Sequence, residues 1–436
     1  MPANSLRRFL ALSATLLILL TACGGETGDE DIADESETTE ETTTADDDAE
    51  ATADDEAAAA GDGEGITFGM ILVGPRDDRG WSQAHFEGGE YIEENLPGSE
   101  MIAIDSVNPA DNPELSVESV ATDMIDQGAQ LIFATSDDMR DGILAAAAEH
   151  PDVPMIWSSG DSAWEEGRAY MPELENLGNI MGRMEVGKAI AGCAAAMHSD
   201  AGHIAYLGPL VNAETIRLVN SAYLGAQHCW TENRGEDPAD LTFEVTYIGF
   251  WFNIPGVTLD PTQVVNDFYA GGADVVVSGI DTTEAIVRTG QLAESGEAVT
   301  AVPYDFIGAC DEAPAVCLGV PYFNWGPSYL ETAQAVVDDS FDAEWRWLGP
   351  DEDDINDLDS SIIGFIKGDG LGEDAEAAVD ALTAGLLDGS IELFEGPLVL
   401  ADGTTYIAEG EVATDEQVWY FPDLLEGIDG VAETQE

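Results

Sequence analysis

Lysine is almost missing from this chain. Lys188 and Lys367 are the only two in 436 residues, and all Lys and Arg together number 13 against 88 Asp and Glu. A formal charge of −75 excludes nucleic acid as a partner, because phosphate binding needs clustered basic side chains. Long apolar runs are scarce too. The one from Phe9 to Leu20 falls short of the ~20 residues that cross a bilayer. Catalytic signatures are missing: there is no G-x-S-x-G, no H-E-x-x-H and no phosphate loop, and GDGEG and GDGLG lack the third glycine of a dinucleotide fingerprint. Carboxylate pairs are so common here that they say nothing about acid–base catalysis. Cys-x-x-Cys is absent, the five histidines lack a zinc-type spacing, and DEDDINDLD (Asp351 to Asp359) lacks the central glycine of a calcium loop. The expectation is a binding protein with no metal and no cofactor.

The short apolar run nevertheless carries information. Arg7 and Arg8 precede it, and the small residues Thr21 and Ala22 follow it before Cys23. That is the shape of a secretory signal (residues 1–22) with lipid attachment at Cys23, which would place the protein on the extracytoplasmic face of the cell membrane. Two acyl chains, at ~0.8 kcal/mol per buried methylene, anchor stably. Between Gly24 and Gly65 there are eighteen Asp and Glu, no Lys or Arg, and one large aliphatic residue, Ile32. Such a stretch cannot bury enough apolar surface to offset its ordering entropy. Residues 23–65 therefore read as a disordered acidic tether with an end-to-end distance of ~35 Å or more.

Without leader and tether, 88 − 18 = 70 acids face 13 − 2 = 11 basic residues. An ordinary apolar content under about 59 excess negative charges describes a globular domain adapted to salt. The mature domain keeps Cys193, Cys229, Cys310 and Cys317. An even number in an oxidising compartment suggests two disulfides, most simply Cys193 to Cys229 and Cys310 to Cys317, with connectivity open.

From Thr67 onward, short apolar runs alternate with longer amphipathic ones. The candidate strands are Thr67 to Val73, Met101 to Asp105, Gln130 to Ala134, Val153 to Trp157, His203 to Leu207, Phe243 to Ile248, Asp274 to Val277, Thr300 to Tyr304 and Ile362 to Ile366. Pro113 to Gln127 is an expected helix, with Leu115, Val117, Val120, Met124 and Ile125 on one face. This βαβ alternation builds parallel sheets covered by helices, and some 370 residues call for two lobes. The break falls near Met181: residues 66–181 and about 317–345 form one lobe, and 182–316 with about 360–436 the other, joined by several crossings. Ligands bind beyond the carboxyl ends of such strands. The loops there hold Asp78, Trp81 and Ser82, then Ser136 and Asp137, then Ser159, and in the second lobe Phe252, Asn253, Asp281 and Asp305. Aromatics and carboxylates dominate, which suits a flat ligand stacked on rings and read at its edge by acceptors.

Several segments match a known family in order. GPRDDRGWSQAHFEGGEYIEE (Gly74 to Glu94), LIFATSDDMRDGILAAAAEHPDVPMIWSSG (Leu131 to Gly160), NIMGRMEVGKAIAGCAA, FWFNIPG, GGADVVVSGID, PYDFIG, FNWGPSYLETAQAVVDD (Phe323 to Asp339) and FEGPLVLADGTTYIAEG together resemble the basic membrane protein family, the purine nucleoside receptor class of ABC-transporter substrate-binding lipoproteins. The resemblance covers most of Ile66 to Val431. It implies a type I periplasmic-binding-protein fold, a monomer that closes two lobes on one purine base or nucleoside, and delivery to an ABC permease. Carried over by position, Trp81 stacks on the base, Asp78 and Ser82 lie near its edge, Asn253, Asp281 and Asp305 approach from the second lobe, and Trp325 sits at the hinge. The chain departs from the family in its Trp251-Phe252-Asn253-Ile254-Pro255 run and is expected to place no lysine in the second-lobe cleft, which favours a base over a ribosylated ligand. The alternative is a surface sensor or a binder of another polar ligand such as a sugar; a secreted hydrolase is weaker still.

Two outcomes follow from the sequence. Cys23→Ser should release the protein from membranes or leave it unprocessed, and unchanged membrane partitioning would defeat the anchor. Thermal midpoints should rise steeply from low to molar salt, where the Debye length falls to ~3 Å; a flat dependence would show the acidic surface to be structurally neutral.

Overall fold

The computed structural model describes residues 65–432. The expected leader, Cys23 and most of the tether lie outside the described residues. In chain order the elements are β1 (Thr67–Ile71), α1 (Trp81–Asn95), β2 (Glu100–Ile104), α2 (Val117–Asp126), β3 (Leu131–Ala134), α3 (Arg140–Glu149), β4 (Met155–Ser158), β5 (Leu177–Gly182), α4 (Met184–His198), β6 (His203–Gly208), α5 (Ala213–His228), β7 (Thr242–Tyr247) and α6 (Pro261–Gly271). They continue with β8 (Val275–Ser278), α7 (Glu284–Glu294), β9 (Thr300–Val302), β10 (Gly319–Phe323), α8 (Gly326–Val337), β11 (Trp345–Leu348), β12 (Ile363–Lys367), α9 (Glu373–Leu387), β13 (Leu398–Val399), β14 (Thr405–Ile407), α10 (Asp415–Trp419) and β15 (Ile428–Asp429).

Continuous apolar runs become central strands because both faces of a parallel sheet are covered. β3 and β8 are buried throughout, whereas the edge strand β2 is partly exposed along its length. The first sheet runs β11-β5-β4-β3-β1-β2 and the second β15-β7-β6-β8-β9, every pairing parallel. This is the α/β fold with two parallel sheets that the alternation called for. Among the described residues no helix is long and apolar enough to cross a membrane.

The chain passes three times between the lobes: from β5 into α4, from β10 into α8, and from β11 to β12. β10 and β12 pair antiparallel at this junction, and β10 is tied to the loop after β9 by the Asp305 to Tyr322 bridge. α8 packs on α1, while α4 packs on α5 and α9. α4 and α5 approach closely, and two glycines permit it. A Cβ on Gly192 would stand 1.8 Å from the Ala222 carbonyl oxygen, and one on Gly225 1.9 Å from that of Ala189. Cys193 is bonded to Cys229 and Cys310 to Cys317, with Cα separations of 5.2 and 5.5 Å.

One helix departs from its expected limits. α2 starts at Val117, not near Pro113, because the Ser116 side chain accepts from the Ser119 N–H and caps it there. Leu115 thus stays outside the helix and exposed.

The α4–α5 interface also buries an ion pair, Arg217 Nε to Glu185 Oε1 at 2.5 Å. Removing one partner of a buried pair leaves an uncompensated charge, which costs ~3 to 5 kcal/mol. Glu185→Ala should lower the stability measured by urea unfolding in high salt by about that amount, and a loss below ~1 kcal/mol would show that Arg217 reaches water.

Candidate functional site between the lobes

The carboxyl ends of both sheets open onto one narrow cavity. The first lobe contributes Trp81, Ser136, Asp137 and Ser159; the second contributes Tyr206, Pro209, Glu214, Thr215, Leu218, Trp251, Gly279, Asp281 and Tyr304. A wider outer chamber shares Asp137, Ser159 and Glu214 with it and adds Arg140, Trp157, Asp161, Arg168, Asn212, Trp419 and Tyr420. The inner chamber is mainly apolar, with four aromatic rings, and the outer one mixes donors, acceptors and three rings.

Trp81 opens α1 and is fixed on two sides. Its indole Nε1 donates to the Thr135 carbonyl at 2.6 Å, and its ring meets His85, Phe323 and Trp325 edge-on at 4.6, 5.2 and 5.5 Å. Ser136 holds the Trp157 indole through its carbonyl at 2.9 Å. Ser159 adopts a left-handed φ of 64°, and its hydroxyl donates to the Ser158 carbonyl. Five of the residues expected from sequence, Trp81, Ser136, Asp137, Ser159 and Asp281, therefore line one cavity.

Six others do not line it: four are held by local bonds or packing, and two, Trp325 and Asp305, are fully buried. Asp78 caps α1, accepting from the N–H groups of Gly80, Ser82 and Gln83 at 2.9 to 3.0 Å. Burial raises its carboxyl to about 6 against the pull of those N–H groups. Ser82 accepts from the Gly74 N–H at 2.9 Å. Phe252 packs edge-on against Phe250, and Asn253 accepts from the Thr258 hydroxyl at 3.3 Å. Trp325 is fully buried and stacked on His85 at 4.1 Å. Asp305 is fully buried behind the cavity wall.

The lobes touch around the cavity. Trp251 Nε1 donates to Asp138 Oδ2 at 3.0 Å. Arg79 donates to the Gly308 carbonyl at 3.1 Å and pairs with Glu312 at 2.8 Å. Beside it Gly80 lies so close that a Cβ would fall 1.6 Å from the Asp281 carbonyl oxygen. These contacts cross from the first lobe to loops of the second.

Carboxyl groups crowd the second-lobe side. Burial pushes Asp281 well above the usual carboxylate range, and the nearby charges of Asp305, Asp78, Glu214 and Asp138 push the same way. Glu214 is raised to about 7 by desolvation, opposed by Arg217. A carboxyl kept protonated can donate as well as accept. The edge of the cavity can therefore meet a ligand with hydrogen-bonding groups of either kind.

No lysine is among the residues that line either chamber. Lys188 of α4 lies fully buried behind the wall, its Nζ donating to the Ser278 carbonyl at 2.7 Å and lying 3.0 Å from the centre of the Tyr304 ring. It comes from the crossover helix, so its place behind the strand-end loops could not be read from sequence order. Tyr206 and Tyr304 were missed because each ends or fills an apolar run and reads as core. Glu214 and Leu218 are one helical turn apart on α5, a spacing that could have flagged them once Asn212 was recognised as the N-cap.

A family model described as ABC transporter substrate-binding protein, PnrA-like, matches residues 66–228. A purine-binding protein of Brucella abortus is 25% identical over 369 residues, spanning 84% of this chain and 93% of the relative. A Haloferax volcanii protein named for glucose binding in an ABC transporter is 26% identical over 288 residues, covering 66% of this chain and 65% of the relative. Among solved structures, an ABC transporter solute-binding protein of Aeropyrum pernix superposes with a TM-score of 0.59 at 14% identity, over 75% of this chain and 92% of that one. The ordered motifs, the two parallel sheets meeting at a cleft and these matches make the chain similar, most clearly over residues 66–228, to the PnrA-like ABC transporter substrate-binding proteins of the Bmp family.

Proposed function

We propose that this substrate-binding protein captures a purine base or nucleoside between its lobes and presents it to an ABC permease while tethered to the membrane through Cys23. The observation that carries the reading is the inner cavity itself, walled by Trp81, Trp251, Tyr206 and Tyr304 and edged by Asp281, Glu214 and Asp137. A planar heterocycle satisfies both features, since rings cover its faces and carboxyl groups address its rim. The purine-binding relative supports this choice. The outer chamber offers polar side chains and the Trp419 and Tyr420 rings, room that a ribose would use and a free base would leave to water.

Calorimetric titration of adenine, guanine, adenosine and inosine in high salt, with glucose as the competing ligand class, tests the proposal. Micromolar or tighter binding of at least one purine is expected, and glucose binding with no purine binding would overturn it. Base–aromatic stacking is worth ~1 to 3 kcal/mol, so Trp81→Ala should weaken the bound purine by roughly five- to 150-fold. It should also lower the thermal midpoint, because Trp81 is packed in the hinge-side aromatic cluster. Trp81→Phe keeps a ring and should retain more of both. Equal purine affinity in wild type and Trp81→Ala would move the stacking role to Trp251.

A further inference from the structure

Trp81 stands on a platform of rings. Phe323, Trp325 and His85 are stacked in a row, Phe323 on Trp325 at 4.9 Å and Trp325 on His85 at 4.1 Å, each pair 17° from parallel. The Trp81 ring meets all three edge-on, at 86°, 77° and 70° in that order. Phe323 and Trp325 lie at the crossing from β10 into α8, and His85 follows Trp81 by one turn of α1. The two helices approach closely here, since a Cβ on Gly88 would stand 2.8 Å from the Trp325 Cβ and 3.2 Å from Tyr329 Cδ2.

A single hydroxyl ties this platform to a second part of the cavity wall. His85, Ser158 and Tyr329 are all fully buried. The Tyr329 oxygen lies 2.6 Å from His85 Nδ1 and 2.8 Å from Ser158 Oγ. His85 supports Trp81, and Ser158 ends β4 directly before Ser159, so two first-lobe elements that line the inner cavity converge on one atom of the helix after the hinge crossing. Burial holds His85 well below its ordinary range and Tyr329 above its own, which leaves a neutral imidazole and a protonated phenol. His85 Nε2 is buried with no partner among the described residues. An unpaired N–H is rarer in a protein interior than an unpaired acceptor, so the ring proton belongs on Nδ1. Nδ1–H then donates to the Tyr329 oxygen, and the Tyr329 O–H donates to Ser158 Oγ.

We propose that Tyr329 is a positioning residue of the binding site: its hydroxyl, bridging His85 beside Trp81 and Ser158 before Ser159, holds the stacking ring and the end of β4 in register with the hinge helix. Tyr329 itself lines neither chamber, so it acts through the groups it bonds. Phenylalanine in its place would fill the same space and leave both partners buried and unpaired. The effect on ligand affinity rests on the purine reading above, while the effect on Trp81 does not.

Nitrogen-15 NMR of the unliganded protein in high salt tests the bridge without any ligand. The His85 ring should carry its proton on Nδ1, and the Trp81 indole N–H signal, identified by its disappearance in Trp81→Phe, should shift in Tyr329→Phe. A proton on Nε2, or a Trp81 signal that stays in place, overturns the proposal. Ser158→Ala cuts the other end of the bridge and keeps the test decisive if Tyr329→Phe fails to fold. The Ser158 hydroxyl bonds to neither Trp81 nor His85, so an effect on the Trp81 signal is expected only through Tyr329, and an unmoved signal overturns the proposal. Inosine titration then tests the coupling to binding. Tyr329→Phe should bind about tenfold more weakly. Tyr329→Phe/Ser158→Ala should bind no more weakly than Tyr329→Phe alone, because one hydroxyl serves both partners. Unchanged affinity, or losses that simply add, would overturn the positioning role even if stability falls. If the wild type binds no purine although the Trp81 signal moves as expected, the purine reading falls and the positioning of Trp81 stands.

Discussion

The lobes meet as they do only because position 80 has no side chain. Gly80 rests against the Asp281 carbonyl, and any Cβ would occupy the space of that oxygen. The contact brings the first turn of α1, with Trp81 as its leading residue, against the loop after β8 that carries Asp281. The neighbouring bonds, Trp251 to Asp138 and Arg79 to Gly308 and Glu312, lie around the same closure. The cavity draws rings and carboxyl groups from both lobes, Trp81 and Asp137 from the first and Tyr206, Trp251, Tyr304, Glu214 and Asp281 from the second.

The shortage of positive charge explains how the site handles its acids. An ordinary cleft could neutralise Asp78, Glu214, Asp281 and Asp305 with lysines and arginines. Here Asp78 is satisfied by backbone N–H groups, Arg217 opposes the shift on Glu214, and the charge of Lys188 opposes that on Asp305. Asp281, with no cation acting on it, is left to protonation. The acidic composition that suits salt water at the surface thus reaches into the cleft as a supply of neutral or paired carboxyl groups.

Much of the fold was legible because parallel strands are short apolar runs and their order follows the chain. β5, β11 and β15 were not. β5 carries glycine and asparagine in LGNIMG, β11 is a tryptophan-rich WRWL, and β15 has two residues, so none shows the expected pattern. At the site, the rule of reading beyond strand ends brings Trp81, Ser136, Asp137, Ser159 and Asp281 to one cavity. Asp78 and Ser82 are held by local bonds instead, since residues that cap a helix and residues that face a cavity share the same loop. Lys188 arrives behind the wall from a helix that crosses between the lobes, a relation that exists only in three dimensions.

The turn that receives Arg79 is closed by the Cys310–Cys317 disulfide. A short covalent ring has few conformations to lose, so the acceptor side of that contact gives up little chain entropy in forming it. The surface that receives Arg79 is in that way fixed by a covalent ring and not by packing alone.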